Sequence, residues 1–235
     1  MDDWIDFYDS AHSIYVNERH RDVHFRRIAE DLAAYVRPGA VVLDYGCGEA
    51  LHADIVAAKA GRLILVEPAP GVRARVAARF GREPRIEVCG PERLAGLPEH
   101  TVDLVIMHSV AQYLTGTELD FALALFRRLL KSDGLLVLGD VISPDTSALT
   151  DALSLLRFGV QNGFFVAALV GLGRTMLSPY RRLRSTLGLT RYDAAAVIDK
   201  LAAAGFTARR AGENIGHNPG RMTFLALPTG SAAWN

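Results

Sequence analysis

Cysteine is nearly absent from this chain. Its 235 residues include two, Cys47 and Cys89, at a spacing that offers neither a disulfide framework nor a zinc site, so no metal is expected. A charge of one sign is missing too, because 26 basic and 26 acidic residues cancel. No global field then draws the chain toward nucleic acid or an acidic membrane, a polyanionic substrate is not favoured, and nucleic acid is not expected as a partner. The N-terminus, MDDWIDFYDS, lacks the basic start and apolar core of a secretory signal, which predicts a cytoplasmic protein. Internal repeats, low-complexity tracts and a linker between domains are also lacking. What remains, with 50% hydrophobic residues, is enough to bury the core of one α/β domain.

Strand-like and helix-like segments alternate along the chain. Helices are predicted over about 18–36, 49–60, 71–80, 117–131 and 193–204, and strands near 41–45, 62–67, 85–89, 102–107 and 134–141. That alternation suits a parallel sheet with helices on both faces. Two more strands, near 206–211 and 222–227, flank NIGHNPG, a run of loop formers too short for a parallel crossover. The last strand must therefore run antiparallel.

The chemistry concentrates at VVLDYGCGEALHA, residues 41–53, where a buried strand breaks into a glycine turn that opens a helix. The next strand, LILVEP, ends in Glu67, which is 21 residues after Gly46 and can meet both hydroxyls of a ribose in the same crevice. A dinucleotide turn of the G-x-G-x-x-G type needs a third glycine at position 51. Leu51 stands there, which disfavours a nicotinamide oxidoreductase.

The turn instead resembles motif I of the class I S-adenosylmethionine-dependent methyltransferases, D-x-G-x-G-x-G, with Asp44, Gly46 and Gly48 in place and Ala50 at the last glycine. VDLVIMHSVAQYL, residues 102–114, looks like motif IV of that family, and LLKSDGLLVLGDVI, residues 129–142, like the helix end, turn and fifth strand that follow. The resemblance covers about 38–142 closely and 193–228 by pattern. It implies a Rossmann-like, seven-stranded, mostly parallel sheet with an antiparallel last strand, and S-adenosylmethionine as cofactor, released as S-adenosylhomocysteine. The core would comprise 38–142 and 193–235, with 1–37 as an N-terminal helical lid and 143–192 as a helical cap inserted after strand five.

For the cofactor, the resemblance implies roles for Asp44 near the methionine amino group, Gly46, Cys47 and Gly48 in the turn, and Glu67 and Pro68 at the ribose. In CGPERL, Pro91 occupies the usual place of the acid at adenine, which shifts that contact to Glu92. His108 and Ser109 follow motif IV beside cofactor and acceptor, with Gln112 and Tyr113 beyond. In-line methyl transfer relies mostly on positioning, and a base matters only for a nucleophile that carries a proton. His108 is the leading candidate base, followed by Asp140 at the end of the fifth strand and His217 in the hairpin. A structural histidine, bonded to a loop carbonyl, is an equally good reading of His108.

The segment YDSAHSIYVNERH brings Tyr8, His12, Tyr15, Asn17 and His20 ahead of the first strand, and Tyr15 is the expected contact to the site. Between 152 and 192 there are six arginines (157, 174, 181, 182, 184, 191) and no acid. The uncharged run GFFVAALVGLG, 163–173, spans about 16 Å as a helix, too short to cross a bilayer. It should pack on the crevice, on a second copy of the chain or on a lipid surface, with Phe164, Phe165 and Leu169 shielded. The expected function is methyl transfer to a small or amphiphilic acceptor, most readily at oxygen. A non-catalytic binding or scaffold protein of the same fold, or methylation of protein or nucleic acid, is the alternative. MHSV stands where enzymes methylating base amino groups carry N-P-P-[YFW] or D-P-P-Y, which counts against nucleic acid.

Overall fold

The computed structural model describes residues 2–9, 15–175 and 188–231. His12, Arg181, Arg182 and Arg184 lie outside the described residues. The strands are β1 Val41–Tyr45, β2 Arg62–Val66, β3 Ile86–Cys89, β4 Val102–His108, β5 Leu130–Ile142, β6 Phe206–Arg210 and β7 Arg221–Pro228. They form one sheet in the order β3-β2-β1-β4-β5-β7-β6. β1 to β5 pair in parallel, and β7 lies antiparallel to both β5 and β6, so the expected Rossmann-like α/β architecture is the one observed. The order reverses between β1 and β4, which opens a crevice at the carboxyl edge of those strands.

Side chains alternate across each central strand, and both sets are apolar because helices cover both faces. Leu43, Val105, Met107, Leu136 and Leu138 pack with Leu119, Leu123 and Phe126 of α5 (Gly116–Leu129) and Val197 and Leu201 of α8 (Ala194–Ala203). On the other face, Val42, Leu104, Ile106 and Val137 pack with residues of α2 (Glu18–Ala33), α3 (Ala53–Ala57) and α4 (Pro70–Phe80). Each such side chain contributes about 1.5–3 kcal/mol on burial. Outside this core, α1 (Asp2–Asp9) touches α4, and the pair α6 (Ala148–Asn162) and α7 (Phe165–Thr175) leans on α2. Among the described residues no helix is long and apolar enough to cross a membrane.

Two helix boundaries differ from expectation. α5 starts at a capping box, in which Thr115 Oγ1 accepts from the Glu118 amide and the Glu118 carboxylate accepts from the Thr115 amide, and it ends at Leu129 because Leu130 is already paired with Val102. The helix expected over 49–60 is only Ala53–Ala57. Gly48 (φ 57°) and Ala50 (φ 44°) are both left-handed, and a right-handed helix cannot begin before them.

Ala50 thus occupies, with a side chain, a position whose backbone suits glycine. Left-handed backbone costs a non-glycine residue about 1–2 kcal/mol, against about 0.8 kcal/mol for the buried methyl. Ala50→Gly should therefore raise the melting temperature by up to about 3 °C. A lower melting temperature in thermal denaturation would mean that the packed methyl outweighs the strain.

Candidate active site

The glycine turn is stitched to β2: the amides of Gly46 and Cys47 donate to the Val66 carbonyl, at 2.8 and 3.1 Å. The two glycines serve different ends. At Gly46 (φ 74°) an added Cβ would lie 2.5 Å from Val110 Cγ2, so that glycine is demanded by the loop after β4. At Gly48 an added Cβ would meet nothing within 4 Å, and its backbone borders open space where a ligand can approach.

Glu67 is buried at the end of β2, with one carboxylate oxygen accepting from the Gly48 amide and the other from the Ala69 amide, both at 2.9 Å. Burial raises its pKa, opposed by those two hydrogen bonds. Each oxygen retains a second lone pair for a hydroxyl donor. The carbonyls of Glu67 and Pro68 both accept from Arg73, which holds the strand end in place. Asp44, at the end of β1, has its pKa raised to about 7 by burial and by the charge of Glu67. Among the described residues no basic side chain pairs with it. Cys47 is buried, and its thiol is pushed up by that burial and by Asp44 and Glu67, which leaves it an inert packing group. Glu92 is exposed on the 3-10 turn after β3, and its carboxylate folds over Gly90, close to where a Cβ on that glycine would sit.

Across the crevice, β4 and β5 bring His108, Ser109 and Asp140 together. Ser109 Oγ donates to Asp140 Oδ2 at 2.6 Å and lies 3.2 Å from His108 Nδ1, while His108 Nε2 faces the Ile215 carbonyl at 3.3 Å. Ser109 (φ 58°) and Asp140 (φ 59°) both hold left-handed backbone, a strain typical of functional sites. Gly139 leaves room for this grouping, since a Cβ there would sit 2.7 Å from His108 Cδ2. Asn214 braces it from the β6–β7 loop: its Oδ1 accepts from the Asp140 amide and from Thr223 Oγ1, and its Nδ2 donates to the Ile215 and Asn218 carbonyls.

His217 sits apart from this trio. It stacks on Phe158 of α6 at 4.3 Å and joins His20 and His24 of α2, whose rings lie 6.3 and 5.5 Å away. Burial lowers all three pKa values, that of His20 to about 4 and that of His24 well below the usual imidazole range, with neighbouring imidazoles adding to the effect at His20 and His24. All three are neutral at pH 7. They do not form a metal-holding group among the described residues. Tyr15 packs on His20, His24 and Phe25, within this aromatic layer between α2 and α6.

The N-terminal segment reaches the crevice through Tyr8, which the sequence singled out, and through Trp4 and Asp9, which it did not. Tyr8 hydroxyl meets Tyr113 hydroxyl at 2.6 Å, Trp4 packs on the Tyr113 ring at 4.7 Å, and Asp9 accepts from the Val72 amide at the start of α4. α1 therefore joins the turn after β4 to the helix after β2. Asp9 and Asn214 carried no sequence signal beyond their polarity, because both act on backbone groups distant in the chain.

The sequence pattern of a family described as a methyltransferase domain matches residues 43–138. A protein of Geobacillus thermodenitrificans described as an uncharacterized methyltransferase is 27% identical over 159 residues, 67% of this chain and 72% of that one. Among solved structures, a TehB-like S-adenosylmethionine-dependent methyltransferase from Corynebacterium glutamicum shares the fold with a TM-score of 0.53 at 18% identity, over 97% of this chain and 94% of its own. A complex of DhpI with S-adenosylhomocysteine does so with a TM-score of 0.57 at 14% identity, over 89% and 86%. The sheet order, the glycine turn of β1 and the matched span agree: over residues 43–138 this chain is similar in sequence to a methyltransferase domain, and it has the fold of the class I S-adenosylmethionine-dependent methyltransferases.

Proposed function

We propose that the chain binds S-adenosylmethionine at the β1–β2 edge and methylates a small or amphiphilic acceptor at oxygen. The observation that carries the reading is Asp44, a carboxyl held near neutral pH beside open space at Gly48 and paired with no cation among the described residues. A ligand bearing both an ammonium group and a ribose fits that pair of acids, Asp44 for the first and Glu67 for the second. The complex of the DhpI neighbour with S-adenosylhomocysteine supports a cofactor of this kind in this fold.

Bound S-adenosylmethionine supplies a sulfonium methyl group to a nucleophile placed in line with the breaking carbon–sulfur bond. The chain's own residues do the rest. His108 Nε2 faces the Ile215 carbonyl and Nδ1 faces Ser109 Oγ, so both ring nitrogens already have partners within the protein. The proton of an acceptor hydroxyl then goes to the Asp140 carboxylate, whose position Ser109 and Asn214 fix, with His108 as a positioning residue. This reverses the order of His108 and Asp140 suggested by the sequence. α1 and α2 act as the lid and α6 and α7 as the cap that keep water from the crevice.

Isothermal titration tests the reading. S-adenosylmethionine should bind and NAD should not. Because an ammonium favours the ionised form of Asp44, affinity should rise as the pH increases from 6 to 8, with a proton released near the lower end. Binding of NAD alone, or a pH-independent affinity for S-adenosylmethionine that Asp44→Asn leaves unchanged, would remove the assignment.

A further inference from the structure

Seven of the exposed large apolar side chains lie on α6 and α7: Leu149, Leu153, Val160, Phe165, Val166, Leu169 and Val170, each at least 42% exposed. This corrects the expectation for the apolar run. Phe164 and Ala168 turn inward, Phe164 onto His20, while Phe165 and Leu169 face solvent, because one helix cannot bury all sides against a single neighbour. An outward face of this extent on two adjacent helices needs an occupant.

We propose that this face docks on an anionic lipid surface, lying in the interface without crossing it. Arginine continues the apolar stripe on both helices. Leu149, Leu153, Arg157 and Val160 follow one another at steps of four, four and three residues on α6, and Val166, Val170 and Arg174 at steps of four on α7. Both arginines are exposed. Arg19 adds a third cation at the junction of the helices, where its guanidinium donates to the Asn162 carbonyl. The nearest acid on α6, Asp151, is turned inward to Arg221 and Asn218, and the sequence from 152 to 192 has none. Apolar side chains interleaved with arginines and free of acids match acyl chains below and lipid phosphates above, the arginine stems lying along the apolar surface with their heads in the headgroup layer. At 15 and 11 residues the helices are about 22 and 16 Å long, which suits lying in the interface. The cap's inner face, where Phe158 stacks on His217, would then sit between the lipid and the site, giving apolar acceptors a short route; docking itself does not depend on the methyl-transfer reading.

Flotation of the full chain with vesicles tests this. Binding is expected to vesicles of mixed phosphatidylglycerol and phosphatidylcholine, at least tenfold stronger than to phosphatidylcholine alone, and to weaken with salt. The double variant Leu153→Glu, Val166→Glu should abolish binding. Arg157→Ala with Arg174→Ala should remove most of the preference for the anionic vesicles, at about fivefold per arginine. Phe121→Glu, which changes an exposed phenylalanine on α5 away from this face, should bind as the parent does. Circular dichroism melts confirm that each variant is folded, and the arginine pair decides the matter if the acidic pair fails to fold. Equal binding to both vesicle types, no binding, or undiminished binding of the variants would overturn the proposal. So would gel filtration showing a parent dimer that the acidic variant splits, since the face would then belong to a second copy.

Discussion

Asp140→Asn should lower the rate of methyl transfer by about 10²-fold or more while leaving the affinity for S-adenosylhomocysteine unchanged. Asparagine tolerates the left-handed backbone at this position and can still accept from Ser109 Oγ, so the scaffold is kept and the proton acceptor is lost. His108→Ala removes the ring that lies on Gly139 and against Ser109, and should cost less than Asp140→Asn. A His108 variant that falls further than Asp140→Asn would make the imidazole the base. A parent-like rate in both would mean that the acceptor arrives already deprotonated.

Glu67→Gln should weaken S-adenosylhomocysteine by about tenfold to a hundredfold, because a charged acceptor is lost at the ribose and the amide group turns a donor toward the Gly48 or Ala69 amide. The same change leaves one buried backbone N–H without an acceptor, at about 1–3 kcal/mol, and should lower the melting temperature by several degrees. The two effects separate in titration against melting. A variant that melts lower yet keeps the parent affinity leaves Glu67 only as the tie between the β1 and β2 turns.

The parallel sheet and its antiparallel last strand follow from local pattern. Val42, Leu43, Ile64 and Val105 sit in runs apolar on both faces, which only a covered parallel sheet accommodates, and the short connection after Arg210 forces β7 antiparallel. Glycines at 46 and 48 and an acid at the next strand end mark the proposed cofactor edge in one dimension, since turn chemistry and β–α spacing are properties of neighbouring residues. Which partners meet across the crevice is decided by packing. That His108 Nε2 faces the Ile215 carbonyl and that Asn214 braces Asp140 depend on how a loop 75 residues further along folds back over β5. The apolar run at 163–173 was visible as a run, but which half of it is buried depends on the angle at which α7 meets α6 and α2. Sequence by itself determined the elements, the parallel sheet with its antiparallel last strand and the glycine turn at its edge, all of which rest on interactions of short range along the chain. Tertiary structure alone decided the hydrogen-bond partners of His108 and the outward face of the cap, because contacts between distant segments leave no periodic trace in the residues that make them.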